Sequence, residues 1–220
     1  MKIILFFILL LCTIGLEAYV VPTQRDFKPA SQVMLEKQDY TDLLAASATS
    51  LSTATAGNTS AAQVVLSSFS AQPDSARNIV IGVGGTAADV ASCDISVAGT
   101  NILGRAITET FSTTLNTSGD ITGAKAFKTV SSVTFPAACE DSPFGVTYNI
   151  GIGEKIGIKR CLNEAGAWAW SNVAGVYEST RATVVVDVDE VEKNTADFNG
   201  TMNGSSDFIG YFIQNFRCLH

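Results

Sequence analysis

Residues 146–152, Val-Thr-Tyr-Asn-Ile-Gly-Ile, decide the fold class. Large apolar side chains occupy every second position, and polar or small residues fill the positions between them. A period of two residues predicts a β-strand that buries one face. The same alternation, or a comparable short apolar run, recurs around residues 64–69, 79–83, 93–97, 107–113, 127–135, 184–188 and 208–213.

Turn-forming residues separate these strands, and few stretches show the period of an amphipathic helix. Many short strands joined by Gly, Asn and Asp turns are typical of antiparallel sandwiches and jelly rolls. The sequence therefore predicts an all-β fold, a single antiparallel β-sandwich or jelly-roll-like domain over residues 46–220. Residues 19–45, which are polar and contain Pro22 and Pro29, are predicted as an extended arm or linker.

The composition favours a protein that is covered by neighbours. Of 220 residues, 46% are hydrophobic and only 16% are charged, against roughly 25% charged in an average soluble domain. The net charge is −7 and no run of basic residues occurs. Nucleic acid is excluded as a partner, because its recognition needs clustered Lys and Arg.

Catalytic motifs are absent from the sequence. The single histidine is His220, which removes His-based triads and His-ligated zinc sites from consideration. The glycines of residues 82–85 lack the spacing of a phosphate-binding loop and indicate a turn between strands. We predict no enzyme activity, no cofactor and no small-molecule substrate.

The first eighteen residues resemble a secretory signal peptide. Lys2 precedes an apolar run over residues 3–16, and the small residue Ala18 offers a cleavage site. The run is too short to span a bilayer, which takes roughly 20 residues, so no stable membrane span is predicted. The alternative is an apolar arm that is kept and packs on a neighbouring subunit.

Four cysteines remain if Cys12 is removed with a signal peptide. An even number in an exported chain permits two disulfides, and we expect Cys93–Cys139 and Cys161–Cys218. The first pair is close in sequence, and the second would pin the C-terminal segment; buried or free thiols are the alternative. Sequons for N-glycosylation occur at Asn58, Asn116, Asn199 and Asn203.

Two pairs of side chains are candidate binding groups. Asp187 and Asp189 would face the same side of a predicted strand and could hold Ca²⁺, although a solvated strand face is the favoured interpretation because the spacing of calcium loops is absent. Trp168 and Trp170 would share one face of an extended chain. They could stack on a sugar, or fill a core or an interface.

The last predicted strand is apolar on both faces. Both faces therefore need cover, and the core can cover one of them. A neighbouring subunit, or the arm of residues 19–45 donated by one, could cover the other by adding a strand to an exposed edge. The predicted assembly interface consists of Phe208, Ile209, Tyr211, Phe212 and Ile213.

A series of short motifs resembles a group of structural proteins of tailed-bacteriophage virions. The order and spacing of the motifs carry the resemblance, which covers about residues 44–214. The motifs are Arg-Asn-Ile at 77–79, Gly-Gly-Thr-Ala-Ala-Asp at 84–89, Ile-Ser-Val-Ala-Gly-Thr-Asn at 95–101, Gly-Arg-Ala-Ile-Thr-Glu-Thr at 104–110, Gly-Ala-Lys-Ala-Phe-Lys-Thr-Val at 123–130, Ile-Gly-Glu-Lys-Ile-Gly-Ile at 152–158, Glu-Lys-Asn-Thr at 192–195 and Asn-Gly-Ser at 203–205.

The resemblance implies a non-catalytic β-sandwich subunit of a virion, either a capsid-decoration protein or a minor structural protein. Its partners would be copies of itself or a major capsid protein. A signal peptide and paired cysteines depart from that pattern. They leave open a secreted, disulfide-stapled and glycosylated subunit of an extracellular filament or surface layer. A third reading, a secreted carbohydrate-binding module, would use Trp168 and Trp170.

Overall fold

The computed structural model describes residues 35–55, 62–142 and 145–213. The predicted signal peptide, most of the predicted arm, Asn58 and Cys218 lie outside the described residues. The described part is all-β and its strands pair antiparallel, which confirms the predicted fold class. The strands are β1 Leu35–Tyr40, β2 Ser47–Thr55, β3 Val64–Leu66, β4 Arg77–Gly85, β5 Asp94–Thr100, β6 Ala106–Ser112, β7 Gly119–Phe127, β8 Thr129–Phe135, β9 Val146–Gly157, β10 Trp168–Val173, β11 Val176–Tyr177, β12 Thr183–Val185, β13 Thr195–Asp197 and β14 Phe208–Ile213.

Three sheets form from these strands. Sheet A has the order β1-β14-β10-β11, and sheet C has the order β3-β8-β5-β6. Sheet B has the order β12-β13-β9-β4-β7, with β2 pairing additionally on β9. Three short 3₁₀ helices, Ala87–Asp89, Ala165–Ala167 and Val191–Lys193, complete the regular structure of the described residues.

Two hydrophobic cores lie between the sheets. The larger one joins sheet B to the inner face of sheet C, with side chains such as Ile81, Val97 and Val133. The smaller one joins the inner face of sheet A to one end of sheet B, around Trp168 and Phe208. Alternation of apolar residues along each strand produces these cores, because side chains two positions apart point to the same face.

Strand β9 contributes to both cores. Its first half places Tyr148, Ile150 and Ile152 in the larger core, and Ile156 near its end belongs to the smaller one. The stretch that predicted the fold is thus the first half of a strand of twelve residues.

The β domain begins earlier in the chain than the sequence predicted. Residues 35–45 were predicted as part of an arm, yet Leu35–Tyr40 forms β1 and pairs along its whole length with β14. The compact unit accordingly begins at Leu35. The pairing occupies the strand edge that a neighbouring subunit was predicted to cover, so the partner on that edge is the same chain.

Candidate assembly surface

Strand β14 lies in the middle of sheet A, between β1 and β10, and its two faces have different surroundings. Phe208 and Phe212 point inward and are fully buried. Ile209 and Tyr211 point outward and are half-buried, and Ile213 is exposed. Of the predicted interface residues, only the three on the outer face are placed where another molecule could contact them.

Trp168 and Trp170 lie on opposite faces of sheet A, so the prediction that they share one face was wrong. The pairing of β10 with β14 shifts register between them, which is the mark of a β-bulge. Trp168 is fully buried, and its indole N–H donates to Ser171 Oγ at 3.1 Å. Its ring fits over Gly210, where a Cβ atom would overlap it.

Trp170 instead stacks on Tyr211 across the outer face. The ring centroids are 4.9 Å apart and the planes are inclined by 25°. Each ring therefore covers one face of the other, and the two tryptophans do not form a paired platform for a sugar.

Further apolar side chains lie on the same outer face of sheet A as this aromatic pair, and we call the whole group the outer patch. Register places Leu35 opposite Ile213, and it places Asn172 opposite both Ile209 and Tyr177. Residues that are directly opposite in an antiparallel pair lie on the same face. The outer patch consists of Leu35 (45% exposed), Trp170 (36%), Tyr177 (64%), Ile213 (37%) and the half-buried Ile209 and Tyr211.

A polar margin borders the outer patch on the side of β1. Lys37 Nζ and Asp39 Oδ1 form an ion pair at 2.8 Å, with both side chains about half exposed. The hydrogen bond from Lys37 to Asp39 raises the pKa of Lys37 above its ordinary value. An apolar centre with a polar margin is the usual composition of a protein–protein interface.

Sequence reasoning missed Leu35 and Tyr177. Leu35 fell in the predicted arm, and Tyr177 belongs to the two-residue strand β11, which is too short to show any alternation. The outward positions of β1 are Leu35, Lys37 and Asp39. Two of the three are charged, so the apolar alternation that would have predicted a strand is missing.

Strand β12 ends at Val185, so the predicted calcium ligands Asp187 and Asp189 lie after the strand, in a turn. Asp187 Oδ1 accepts the backbone N–H groups of Asp189 and Glu190, each at 2.8 Å. Aspartate commonly turns the chain in this way by bonding backbone two or three residues ahead. These bonds lower the pKa of Asp187. Within the described residues, no group of three or more candidate ligands could hold a metal ion.

The first predicted disulfide, Cys93–Cys139, is confirmed. It joins the segment before β5 to the segment after β8, at one end of the larger core. Cys161 is buried, and its predicted partner lies outside the described residues, so the second disulfide stays a prediction.

The described sequons differ in how their amide groups are used. Asn116, Asn199 and Asn203 are all exposed. Asn199 Nδ2 donates to the carbonyl oxygens of Thr180 and Arg181 at 2.9 and 3.0 Å. A glycan on that nitrogen would remove one of its two N–H groups, and glycosylation of these sequons stays a prediction.

A comparison with protein-family models, curated protein sequences and solved structures finds no match for the chain. Over residues 35–55, 62–142 and 145–213, no helix is both long and apolar enough to cross a membrane.

Proposed function

We propose that this chain is a non-enzymatic structural subunit that joins a larger assembly through the outer patch. The assembly we propose is a virion, in which the chain is a capsid-decoration or minor structural protein. Its partners are copies of itself or a major capsid protein. The observation that carries the proposal is a group of exposed apolar and aromatic side chains on a sheet whose other face is already packed.

The physical argument is the cost of leaving that surface in water. Burying apolar area stabilises by roughly 25 cal/mol per Å², and large contiguous apolar patches on soluble proteins mark interaction sites. Tyr and Trp are also enriched in the buried centres of interfaces. A low content of charged residues, 16% of the chain, supports close approach of neighbouring subunits.

The confirmed disulfide favours a second candidate, a subunit of an extracellular filament or surface layer. Disulfides form and persist in oxidising compartments. The chemistry of the outer patch is the same in both cases, and the partner would then be a filament protein or further copies of the chain. The carbohydrate-binding alternative is not proposed, because Trp168 is buried.

The association state tests the proposal directly. We expect the protein comprising residues 19–220 to associate in sedimentation velocity experiments. The double variant Trp170→Lys/Tyr177→Lys of the same protein should sediment as a monomer. The matched control is Thr108→Lys/Thr110→Lys, which adds the same charge to exposed strand positions of sheet C and should associate like the parent. Circular dichroism verifies that each variant folds, and Trp170→Ser/Tyr177→Ser replaces any lysine variant that does not.

A parent protein that stays monomeric at every concentration, alone and with its candidate partner, would contradict the proposal. Equal association of the patch variant and the sheet C control would contradict the assignment of the outer patch. Hydrolysis of esters, peptides, glycosides or phosphates by the purified chain would contradict its non-enzymatic character.

A deletion tests whether the predicted arm is the connector. Removing residues 19–34 leaves β1 intact, whereas a longer deletion to residue 40 would strip the partner strand of β14. If the arm of one copy covers the outer patch of another, the shortened protein should fold and remain monomeric. Unchanged assembly would show that the patch contacts its partner directly.

A further inference from the structure

Three polar side chains from distant parts of the sequence meet where the turn after β5 approaches β7. Asn101 follows the end of β5, Lys125 lies on β7, and Glu192 lies in the short 3₁₀ helix Val191–Lys193. We propose that Lys125 Nζ and the side-chain amide of Asn101 join in an intramolecular amide bond, and that Glu192 carries the protons of this reaction. The inference concerns a single chain and does not depend on the proposed assembly.

The carboxylate of Glu192 contacts both reacting groups. Its Oε2 accepts a hydrogen bond from Asn101 Nδ2 at 3.2 Å, and its Oε1 lies 3.5 Å from Lys125 Nζ. The attacking amine and the leaving amide nitrogen are therefore held by the two oxygens of one side chain. A carboxylate in this position can take a proton from one nitrogen and give a proton to the other.

The carbonyl oxygen of the Asn101 side chain is held by two hydrogen-bond donors. Oδ1 accepts the backbone N–H groups of Leu103 and Arg105, each at 3.0 Å. Because these groups can only donate, the amide oxygen faces them and Nδ2 faces Glu192. Negative charge develops on Oδ1 when an amine adds to Cγ, and N–H groups that are already directed at this oxygen stabilise the charge.

The surroundings of the three side chains are poor in water. Asn101 is 1% exposed, and the side chains of Glu192 and Lys125 are 11% and 21% exposed. Exclusion of water limits the competing hydrolysis of the Asn101 amide, which would give aspartate. Asn101 and Glu192 also line a cavity of about 280 Å³, which offers the released ammonia a way out.

A second carboxylate positions the amine without touching the amide. Glu190 Oε2 lies 2.6 Å from Lys125 Nζ, and Glu190 Oε1 accepts a hydrogen bond from Lys193 Nζ at 2.7 Å. Bonds from Lys125 and Lys193 lower the pKa of Glu190, which keeps it ionised. Glu190 therefore holds the ammonium group beside the site, whereas Glu192 bridges the two reactants.

The reaction balances without an added reagent. Lys125 gives one proton to Glu192, and the lone pair of the neutral Nζ attacks Asn101 Cγ to form the new C–N bond. The carbonyl electron pair moves to Oδ1 and returns as the Cγ–Nδ2 bond breaks. Glu192 gives its proton to Nδ2, which leaves as ammonia, and then takes the surplus proton from Nζ. That proton passes to the ammonia, so an ammonium group and an amide become a new amide and an ammonium ion.

The bond would tie two sheets together covalently. Asn101 follows a strand of sheet C and Lys125 belongs to a strand of sheet B. The backbone at Lys125 is already held against sheet C, because its N–H donates to Glu109 Oε1 at 3.2 Å. The reaction occurs once in each chain and turns over no substrate, so it is compatible with a non-enzymatic subunit.

Mass spectrometry of the full chain tests the inference. The folded protein is denatured and reduced, so that the disulfide Cys93–Cys139 does not contribute to the result. We expect an intact mass that is one ammonia below the sequence mass of the purified chain, and a branched peptide in which Lys125 is joined to Asn101. Lys125→Arg keeps the positive charge but cannot form this amide, and it should have its full sequence mass.

Two matched variants separate the proton carrier from the neighbouring carboxylate. Glu192→Gln removes the group that contacts both reactants and should slow formation of the branched peptide by about a hundredfold or more. Glu190→Gln makes the same chemical change at the residue that contacts only the amine, and it should still form the branched peptide. Circular dichroism verifies that each variant folds. Glu192→Asp, whose carboxylate is one methylene further from both nitrogens, replaces a glutamine variant that does not fold.

A folded parent protein with its full sequence mass and no branched peptide would overturn the inference. A branched peptide joined at residues other than Lys125 and Asn101 would do the same, and so would conversion of Asn101 to aspartate in place of the bond. Equal rates of bond formation in the parent and in a folded Glu192 variant would remove Glu192 from the reaction.

Discussion

Sheets A and C each have four strands and each pack one face on sheet B, but their outer faces are chemically different. The outer face of sheet C carries mainly small hydroxyl and methyl side chains, together with Asp94 and the exposed Val65. The small side chains are Ser96, Ala98, Thr100, Ala106, Thr108, Thr110, Ser112, Thr129 and Thr134. The outer face of sheet A carries the stacked pair of Trp170 and Tyr211 within the outer patch. Since the inner faces are similarly apolar, core formation does not explain this difference between the outer faces.

The two sheets also differ in the groups that tie them to sheet B. Sheet A is held by neutral donors, Gln38 Nε2 and Tyr40 Oη, which share the Gly157 carbonyl. Sheet C is held by a carboxylate, because Glu109 Oε1 accepts the backbone N–H groups of Ala124 and Lys125 at 2.6 and 3.2 Å. The junction of sheet C is therefore the one that should respond to pH.

Replacing the two tryptophans separately tests the division between the faces of sheet A most strongly. We expect Trp168→Ala to lower the free energy of unfolding by about 4 kcal/mol, because it leaves a large cavity in the smaller core. Trp170→Ala should cost about 1 kcal/mol or less, the value of a cross-strand aromatic pair, and should reduce association instead. Urea unfolding measures the first quantity and sedimentation velocity the second. Similar losses of stability in both variants would contradict the assignment of faces.

Removing the disulfide Cys93–Cys139 tests whether the larger core can lose stability without any change at the outer patch. The bond closes a loop of 46 residues, and its loss should cost about 3 kcal/mol through the greater freedom of the unfolded chain. Urea unfolding of Cys93→Ser/Cys139→Ser measures this cost. Association at concentrations where the variant is folded should match the parent; weaker association would mean that the two regions are coupled.

The smallest expected effect comes from Glu109→Gln, which keeps an acceptor oxygen but removes the titration. Burial raises the pKa of Glu109 above its ordinary value, more than the bonds to Ala124 and Lys125 lower it. The folded protein then holds this proton more tightly than the unfolded chain. The free energy of unfolding should therefore fall as pH rises from the ordinary glutamate pKa through the raised one.

We expect this fall to be less than about 1 kcal/mol, because Glu109 is partly solvated. It is measured as the difference between parent and Glu109→Gln in urea unfolding at a series of pH values, since contributions of other groups cancel. Parallel stability curves for the two proteins would show that the carboxylate junction is not sensitive to pH.

The sequence predicted those strands that expose one face and bury the other. Strand β5 alternates in this way over its whole length, and β9 does so over its first five residues. Strand β4 was predicted instead from its short apolar run, and it is buried on both faces. The pairing of Cys93 with Cys139 followed from cysteine number and proximity. The apolar character of both faces of residues 208–213 fits a strand in the middle of sheet A with one face in the smaller core, and the assembly interface predicted there stays a prediction.

Other features depend on contacts that no local pattern contains. Strand β1 buries only Gln38 and Tyr40, so it looks polar, and its partner lies more than 160 residues away in sequence. The bulge that separates Trp168 from Trp170 follows from the register of β10 on β14. Arg77 gave no sign of burial, yet its Nε donates to the Gly153 carbonyl at 2.8 Å and Asp74 pairs with its guanidinium.

Strand β9 belongs to both hydrophobic cores, which bears on how the molecule would carry a mechanical load. A pull on sheet A acts through the smaller core on Ile156, and the covalent backbone of β9 passes it on to Tyr148 in the larger core. Backbone pairing with β4, β2 and β13 holds this strand within sheet B. We therefore expect a displacement of β9 in one core to strain the packing of the other.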